Sequence, residues 1–156
     1  MTQMIEEVKY NEKTLAFIIP KDYDKSGISF FTPNEYSQQL AYMHHSKGHV
    51  IVPHIHNRVV REVQYTLEVL VIRKGRLRVD FYDDDKLYIE SRVLTGGDVM
   101  LLASGGHGFE CLEETEFFEI KQGPYAGEYD KTRFEPVSLD KISIRREENN
   151  GQVSSL

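Results

Sequence analysis

Short β-type segments separated by turn residues recur along almost the whole chain. The clearest apolar or alternating runs lie at residues 14–19, 27–31, 65–73, 99–103 and 116–122. No segment keeps a helical hydrophobic period over the ~11 residues of a typical helix. Many short strands at such intervals are typical of an antiparallel sandwich or barrel, so we expect an all-β fold.

Turn residues predict how some of these segments connect. Residues 40–44 and 49–56, on either side of Ser46-Lys47-Gly48, predict a hairpin around a glycine turn. Asp83-Asp84-Asp85 predicts a solvated hairpin tip, because a calcium loop of the EF-hand type needs spaced acids and a distant glutamate. The best helix candidate, residues 34–43, predicts at most a short helical turn that runs into a strand.

A length of 156 residues suits one domain with a sizeable core and is too short for two ordinary domains. We expect a single barrel domain with extra N-terminal strands over residues 1–136. Residues 137–156 turn polar, which predicts a strand-like extension followed by a flexible, partly disordered tail.

Charge and composition argue against several functional classes. Lys and Arg number 19 against 25 Asp and Glu, and a net charge of −6 is unlike that of a general nucleic-acid binder. No apolar run approaches the roughly 18–20 residues of a membrane span, and the N-terminus lacks the pattern of a secretory signal. We expect a cytoplasmic protein without nucleic-acid or membrane partners. Its single cysteine, Cys111, predicts no internal disulfide and a buried, apolar environment.

Four side chains predict a metal centre. His54 and His56 are two apart in a β-type segment, so both imidazoles project from one face of a strand. Glu68 and the apolar residues at 70 and 72 occupy every second position, so all three share one face of the predicted strand. This placement directs the Glu68 carboxylate toward an apolar interior. A buried carboxylate without a partner is costly, and a cation beside it removes most of that cost. His107 follows the Gly105-Gly106 loop and can add an imidazole from a separate strand.

These residues resemble the two sequence motifs of the cupin superfamily. The matching residues of the first motif are Gly48, His54, His56, Glu68 and Gly75, and the stretch from Gly97-Asp98 to His107 resembles the second. The resemblance covers roughly residues 48–111. It implies a double-stranded β-helix, the jelly-roll barrel of small single-domain cupins, in which His54, His56, Glu68 and His107 hold one divalent transition metal.

The carboxylate position departs from the family pattern. Eleven residues separate His56 from Glu68, more than the family's usual gap, which fits if residues 57–64 bulge out between two paired strands. Glu62 lies nearer His56 and is the alternative ligand. We favour Glu68 because it lies on a predicted strand and keeps the family's spacing to Gly75.

Other polar residues are candidates for the walls of a binding site. In the last predicted strand Phe118 and Ile120 share one face and Glu119 and Lys121 the other, so this polar face either lines a pocket or meets solvent. Lys121 and, in the following loop, Tyr125 are the candidate substrate-binding residues. Three further histidines match no ligand position and predict surface or hairpin residues: His44, His45 and His49.

Three imidazoles and one carboxylate on a metal leave open positions for Lewis-acid chemistry, a bound water, or dioxygen at iron. The ligand set does not distinguish Fe, Mn, Ni, Co, Cu and Zn. The leading hypothesis is a metal-dependent cupin of the oxygenase or isomerase type acting on a small polar metabolite. The run at residues 121–125 also resembles small standalone cupins of bacterial surface-sugar pathways, which implies a role in sugar or surface-polysaccharide metabolism.

Two other functional classes stay open. A metal-free sugar-nucleotide epimerase or ketoisomerase on the same barrel would use His107 and Tyr125 as acid and base. A non-catalytic module would bind a ligand or a metal to regulate a partner. Turnover after exhaustive chelation distinguishes the first class, and ligand binding without product formation distinguishes the second.

We also expect a homodimer. Val69 and Val71 lie on the strand face opposite Glu68, so both faces of that strand are predicted to be buried, one of them against a second subunit. Residues 14–31 are the candidates for N-terminal strands exchanged across the dimer.

Overall fold

Strands form nearly all of the regular secondary structure in the described part of the chain. A computed structural model describes residues 4–146. The strands within this range are β1 (Glu6–Tyr10), β2 (Lys13–Ile19), β3 (Gly27–Phe30), β4 (Ala41–His44), β5 (Glu68–Lys74), β6 (Arg76–Tyr82), β7 (Tyr88–Thr95), β8 (Val99–Leu102), β9 (Gly106–Cys111) and β10 (Glu116–Lys121). Two short 3-10 helices follow, at Gly127–Asp130 and Leu139–Lys141. The predicted all-β class is confirmed, and none of the described helices is long and apolar enough to cross a membrane.

The strands of the described range form three antiparallel sheets. A five-stranded sheet has the order β1-β2-β8-β5-β10, a three-stranded sheet the order β7-β6-β9, and β3 pairs with β4. The Asp83–Asp85 run forms the turn between β6 and β7, as predicted, where the Asp83 carboxylate accepts hydrogen bonds from the backbone of Asp85 and Leu87. Residues 34–43 form turns and then β4, so the short helical turn expected there is absent.

Side chains of the two larger sheets pack into one apolar core. Leu70 and Ile72 of β5 belong to the same buried cluster as Leu77, Val79 and Phe81 of β6, and each is at most 1% exposed. Alternation along β5 and β6 produces this arrangement, because every second residue of a strand points to the same face. Glu68 continues the inward-facing row of β5.

The second face of β5 is covered by its own chain. Val69 packs with Phe17 and Leu101, beneath Tyr36 and Leu40. Both faces of this strand are therefore buried, as predicted, but no second subunit is needed to cover Val69. The reason is tertiary: the loop between β3 and β4 folds across the five-stranded sheet, which the pattern of residues 65–73 does not reveal.

The N-terminal strands also pair within the chain. β2 lies between β1 and β8, and its Leu15 and Ile18 side chains enter the shared core. β3 pairs with β4, with Phe30 opposite Ala41. Both N-terminal strands thus have partners within their own chain, and the exchange of residues 14–31 across a dimer stays a prediction.

The hairpin expected from residues 40–44 and 49–56 does not form. β4 pairs with β3 instead, and a turn remains in which the His49 N–H donates to the Ser46 carbonyl at 3.2 Å. Residues 49–66, here called the arm, contain no strand and are exposed. Its large exposed apolar side chains are Val50, Ile51, Val52, Ile55, Val59, Val60, Val63 and Tyr65. The prediction was wrong because hydrophobic alternation identifies a strand-forming segment but not the edge that accepts it.

Residues 134–145 cross the face of the three-stranded sheet that points away from the shared core. The ring centroids of Phe134 and Tyr82 are 5.0 Å apart, and the Val137 N–H donates to the Tyr82 hydroxyl at 3.0 Å. Ile144 forms a parallel β-bridge with Ser91 of β7. Where it is described, the expected C-terminal extension is therefore not a strand but a short 3-10 helix followed by one bridge. The expected flexible tail at residues 147–156 lies outside the described residues.

Candidate functional site

Glu68 begins β5 and faces the interior. It shares a strand face with Leu70 and Ile72 and is only 7% exposed. Its position next to an apolar row follows directly from the strand period of two. A carboxylate at such a place needs a donor or a cation, because burying it alone is costly.

His107 of β9 supplies that partner. Its Nε2 lies 3.1 Å from Oε2 of Glu68, and the two side chains are 29% and 10% exposed respectively. The His107 ring stacks on Phe109 with centroids 5.2 Å apart, and Phe109 contacts Phe117 of β10. The pair therefore links the three-stranded sheet to the five-stranded one, near the outer strands β9 and β10.

The register of β10 places two more polar side chains near Glu68. Lys121 is opposite Glu68 and Glu119 is opposite Leu70, so both point to the Glu68 face of the sheet. Lys121 Nζ is 3.7 Å from Glu119 Oε1. Phe118 and Ile120 lie on the other face and are 57% and 50% exposed. The register thus places this polar face on the side of Glu68, where Lys121 is partly buried and Glu119 still meets solvent.

The electrostatics of the pair favour an ionised carboxylate. The hydrogen bond from His107 lowers the pKa of Glu68 below the ordinary value of 4.5, against the opposing effect of desolvation. The charge of His107, a hydrogen bond with Glu119 and the charge of Lys121 lower it further. Glu68 is thus held as an acceptor, the state in which a carboxylate binds cations or orients an imidazole.

The lowered pKa predicts a component of stability that is lost in acid. A depressed carboxyl pKa stabilises the folded chain above the unfolded value near 4.5, and the contribution disappears as the pH falls through the lower folded pKa. We expect the free energy of unfolding of metal-free protein to fall more steeply below pH 4.5 than that of Glu68→Gln. Urea unfolding at a series of pH values measures this, with the exposed Glu113→Gln as control. Parallel curves for wild type and Glu68→Gln would contradict the prediction.

The other two predicted ligands lie apart from this pair. His54 and His56 are exposed on the arm, with ring centroids 5.3 Å apart, and His54 Nδ1 is 2.9 Å from the Val52 carbonyl oxygen. Glu62, the alternative carboxylate, is also on the exposed arm. Across residues 4–146 no three His, Cys, Asp or Glu side chains lie close enough together to hold a metal ion. In this conformation Glu68 and His107 form half of the predicted ligand set.

Other candidate residues lie elsewhere. Tyr125 is 80% exposed in the loop after β10. Cys111 is exposed, contrary to the prediction of a buried residue, because it ends the outer strand β9. His44 Nδ1 is 2.6 Å from Asp24 Oδ1, while the rings of His45 and His49 stack with centroids 3.9 Å apart.

Phe109 was not among the predicted site residues, and Glu119 was predicted only as part of a polar strand face. Phe109 stacks on His107, and Glu119 lies beside Lys121. The available signal for Glu119 was that it shares a strand face with Lys121, whereas the strand β9 that carries Phe109 was not predicted in full.

Comparison with protein-family models, curated proteins and solved structures finds no match.

Proposed function

We propose that this chain is a metal-dependent jelly-roll protein of the cupin type that acts on a small polar metabolite. The observation that carries the proposal is the contact of the nearly buried Glu68 carboxylate with the His107 imidazole, 3.1 Å apart. The two residues come from separate motifs of the sequence and from different sheets. Support for the architecture comes from two antiparallel sheets that share one core.

The chemistry of the pair fits two ligands of a transition-metal site, since imidazole and carboxylate both bind such ions. His54 and His56 are the remaining donors, and they need a different position of the arm. When bound, the metal would supply Lewis-acid polarisation of a substrate oxygen or activation of a water. The donor types suit Fe, Mn, Ni, Co, Cu or Zn.

The surroundings of the pair favour a polar substrate. Lys121 offers a cation and Glu119 an acceptor on the same face as Glu68, a combination that suits a substrate with hydroxyl and carbonyl or acidic groups. Phe109 and Phe117 form an apolar wall beside His107. Lys121 therefore binds and orients the substrate in this proposal, which fits a sugar or a similar metabolite.

Metal content tests the proposal directly. Protein purified without an affinity tag and reconstituted with Fe, Mn, Ni or Zn is expected to retain about one equivalent per chain. Glu68→Gln and His107→Ala are each expected to weaken metal binding at least about 100-fold, since even changes to residues that merely support a ligand cost 10–100-fold. His44→Ala, which alters a histidine paired with Asp24, should leave the affinity unchanged. Less than about a tenth of an equivalent with every metal would exclude the proposal.

A second function is favoured by the same hydrogen bond. A carboxylate that accepts from an imidazole orients the ring, which suits His107 as a general acid or base in a metal-free epimerase or isomerase. Exhaustive chelation separates the two functions. Undiminished turnover of a sugar nucleotide by chelated protein, abolished in His107→Asn, would support the metal-free enzyme. Ligand-induced thermal stabilisation with no product would instead indicate a non-catalytic binding module.

A further inference from the structure

The arm exposes apolar side chains that its own chain does not cover. Val52 is 74% exposed, Ile55 87% and Val60 92%. The segment is rich in β-branched residues, which favour strands, and it forms no strand within its own chain. Contiguous exposed apolar residues of this kind mark interaction sites in soluble proteins.

β9 offers an edge for such a strand. Among the described residues it pairs with β6 alone, so its other side is an open edge. Phe109 on this strand is 39% exposed, and Cys111 is exposed at its end. The opposite edge of the same sheet, at β7, is bridged by the backbone of Ser143 and Arg145 to Ser91.

We propose that the arm of one copy of this chain docks antiparallel along the open edge of β9 in a second copy, with His54 opposite His107. A two-fold symmetric exchange then covers both arms and both β9 edges, which closes the assembly at a dimer. The docked arm brings His54 and His56 to the Glu68–His107 pair of the other copy. The metal-binding consequence rests on the proposed function, whereas the exchange itself does not.

The side chains of the two strands match in this register. His107, Phe109 and Cys111 share one face of β9, and the antiparallel alignment sets Val52 opposite Phe109 and Val50 opposite Cys111. A parallel alignment would instead set His56 opposite Phe109 and a charged arginine opposite Cys111. The antiparallel alignment therefore pairs apolar with apolar residues and leaves the histidines beside His107.

Length and charge are compatible with the exchange. The arm of 18 residues can span about 60 Å when extended, enough to reach a neighbouring domain of this size. It carries two arginines and three histidines against one glutamate, and residues 106–121 carry five glutamates against one lysine. Arg73, Lys74 and Arg78 already pair with three of those glutamates. Charge thus assists docking modestly, and burial of the apolar side chains supplies most of the attraction.

Mass and disulfide trapping test the exchange without reference to metal. Light scattering at tens of micromolar should give about 36 kDa, twice the 18.1 kDa of the chain. Val50→Cys, oxidised with copper phenanthroline, should form an interchain disulfide with the native Cys111. Val52→Asp should weaken the dimer at least tenfold and leave the circular dichroism spectrum unchanged, because Val52 is exposed in the single chain.

Two controls accompany the trapping. Val60→Cys lies on the same arm but outside the proposed pairing, and Val50→Cys combined with Cys111→Ser lacks the second thiol, so neither should link chains to a comparable extent. A monomeric mass, an intrachain disulfide, or a dimer without the Val50→Cys link would each overturn the proposal.

Mixed dimers then show whether the site is shared between copies. One variant carries His54→Ala and His56→Ala, the other Glu68→Gln and His107→Ala, on tags that bind no metal. Exchange predicts about one tightly bound metal per purified mixed dimer, because the intact arm of one variant then faces the intact Glu68–His107 pair of the other. Arms that dock on their own chain leave every site in the mixed dimer defective. Trapping of the disulfide with no metal in wild-type dimers would defeat the proposed function and leave the exchange standing.

Discussion

Replacement of Asp80 by alanine is expected to lower the free energy of unfolding by about 3 kcal/mol, the low end of the cost of breaking a buried ion pair. Asp80 is 5% exposed and accepts two hydrogen bonds from Arg78, at 2.9 and 3.1 Å. The Ser91 hydroxyl donates to the same carboxylate. The hydrogen bond with Asp80 raises the pKa of Arg78. A guanidinium stays protonated in proteins even without such a partner, so the charge remains when Asp80 is removed.

The loss of stability should stay near the low end of the range for buried ion pairs, because Arg78 keeps a second partner. Its Nη1 lies 2.6 Å from Oε2 of Glu110, whose side chain is 49% exposed. Urea unfolding measures the change, which corresponds to a drop in Tm of ~6–12 °C for a chain of this length.

A double variant separates the contribution of the ion pair to stability from the contribution of side-chain packing. Arg78→Met with Asp80→Leu removes both charges, and Ser91 retains the Tyr88 hydroxyl at 2.8 Å. Replacing both members of a buried ion pair by apolar residues is often neutral, so we expect stability within about 1 kcal/mol of wild type. A single variant as stable as wild type would show that the ion pair contributes little.

Gly75→Ala is expected to destabilise the chain by about 3 kcal/mol, the sum of a left-handed backbone and a steric overlap. Gly75 has φ +88° in the turn between β5 and β6. A Cβ there would lie 2.3 Å from the Glu114 carbonyl oxygen and 2.7 Å from Thr115 Oγ1. Thr115 Oγ1 also accepts from the Arg76 N–H, so the turn cannot shift without losing that bond.

Gly48→Ala is the matched control. Gly48 also has φ +88°, but a Cβ there would meet nothing within 4 Å. Its substitution should cost about 1 kcal/mol, from the backbone conformation alone. The difference between the two variants in urea unfolding isolates the contact of the β5–β6 turn with residues 114–115. Equal losses would contradict the overlap at Gly75.

The position of Glu68 was predictable, and the position of His54 was not. The parity of Glu68 with two apolar residues is a local property of one strand, so the sequence pattern suffices to orient it inward. The place of His54 depends on which sheet edge accepts the arm, and no local pattern contains that information. The same limit explains the wrong hairpin prediction at residues 40–56. The local pattern identified β4 as a strand but not β3 as its partner.

Arg78 and Asp80 show a related limit. Alternation along β6 places both on the face opposite Phe81. Whether that face meets solvent is not decided by β6 alone, because Ser91 of β7 and Glu110 of β9 contact the ion pair from the two neighbouring strands.

The amino-acid sequence by itself determined the β class, the strand faces and the donor types of the site, because each follows from a period of two residues or from side-chain chemistry. Tertiary structure alone decided that His107 meets Glu68, that Val69 is covered by its own chain, and that the arm leaves the open edge of β9 without a partner. These contacts join residues distant along the chain, and their free energy depends on the surface that the rest of the fold presents.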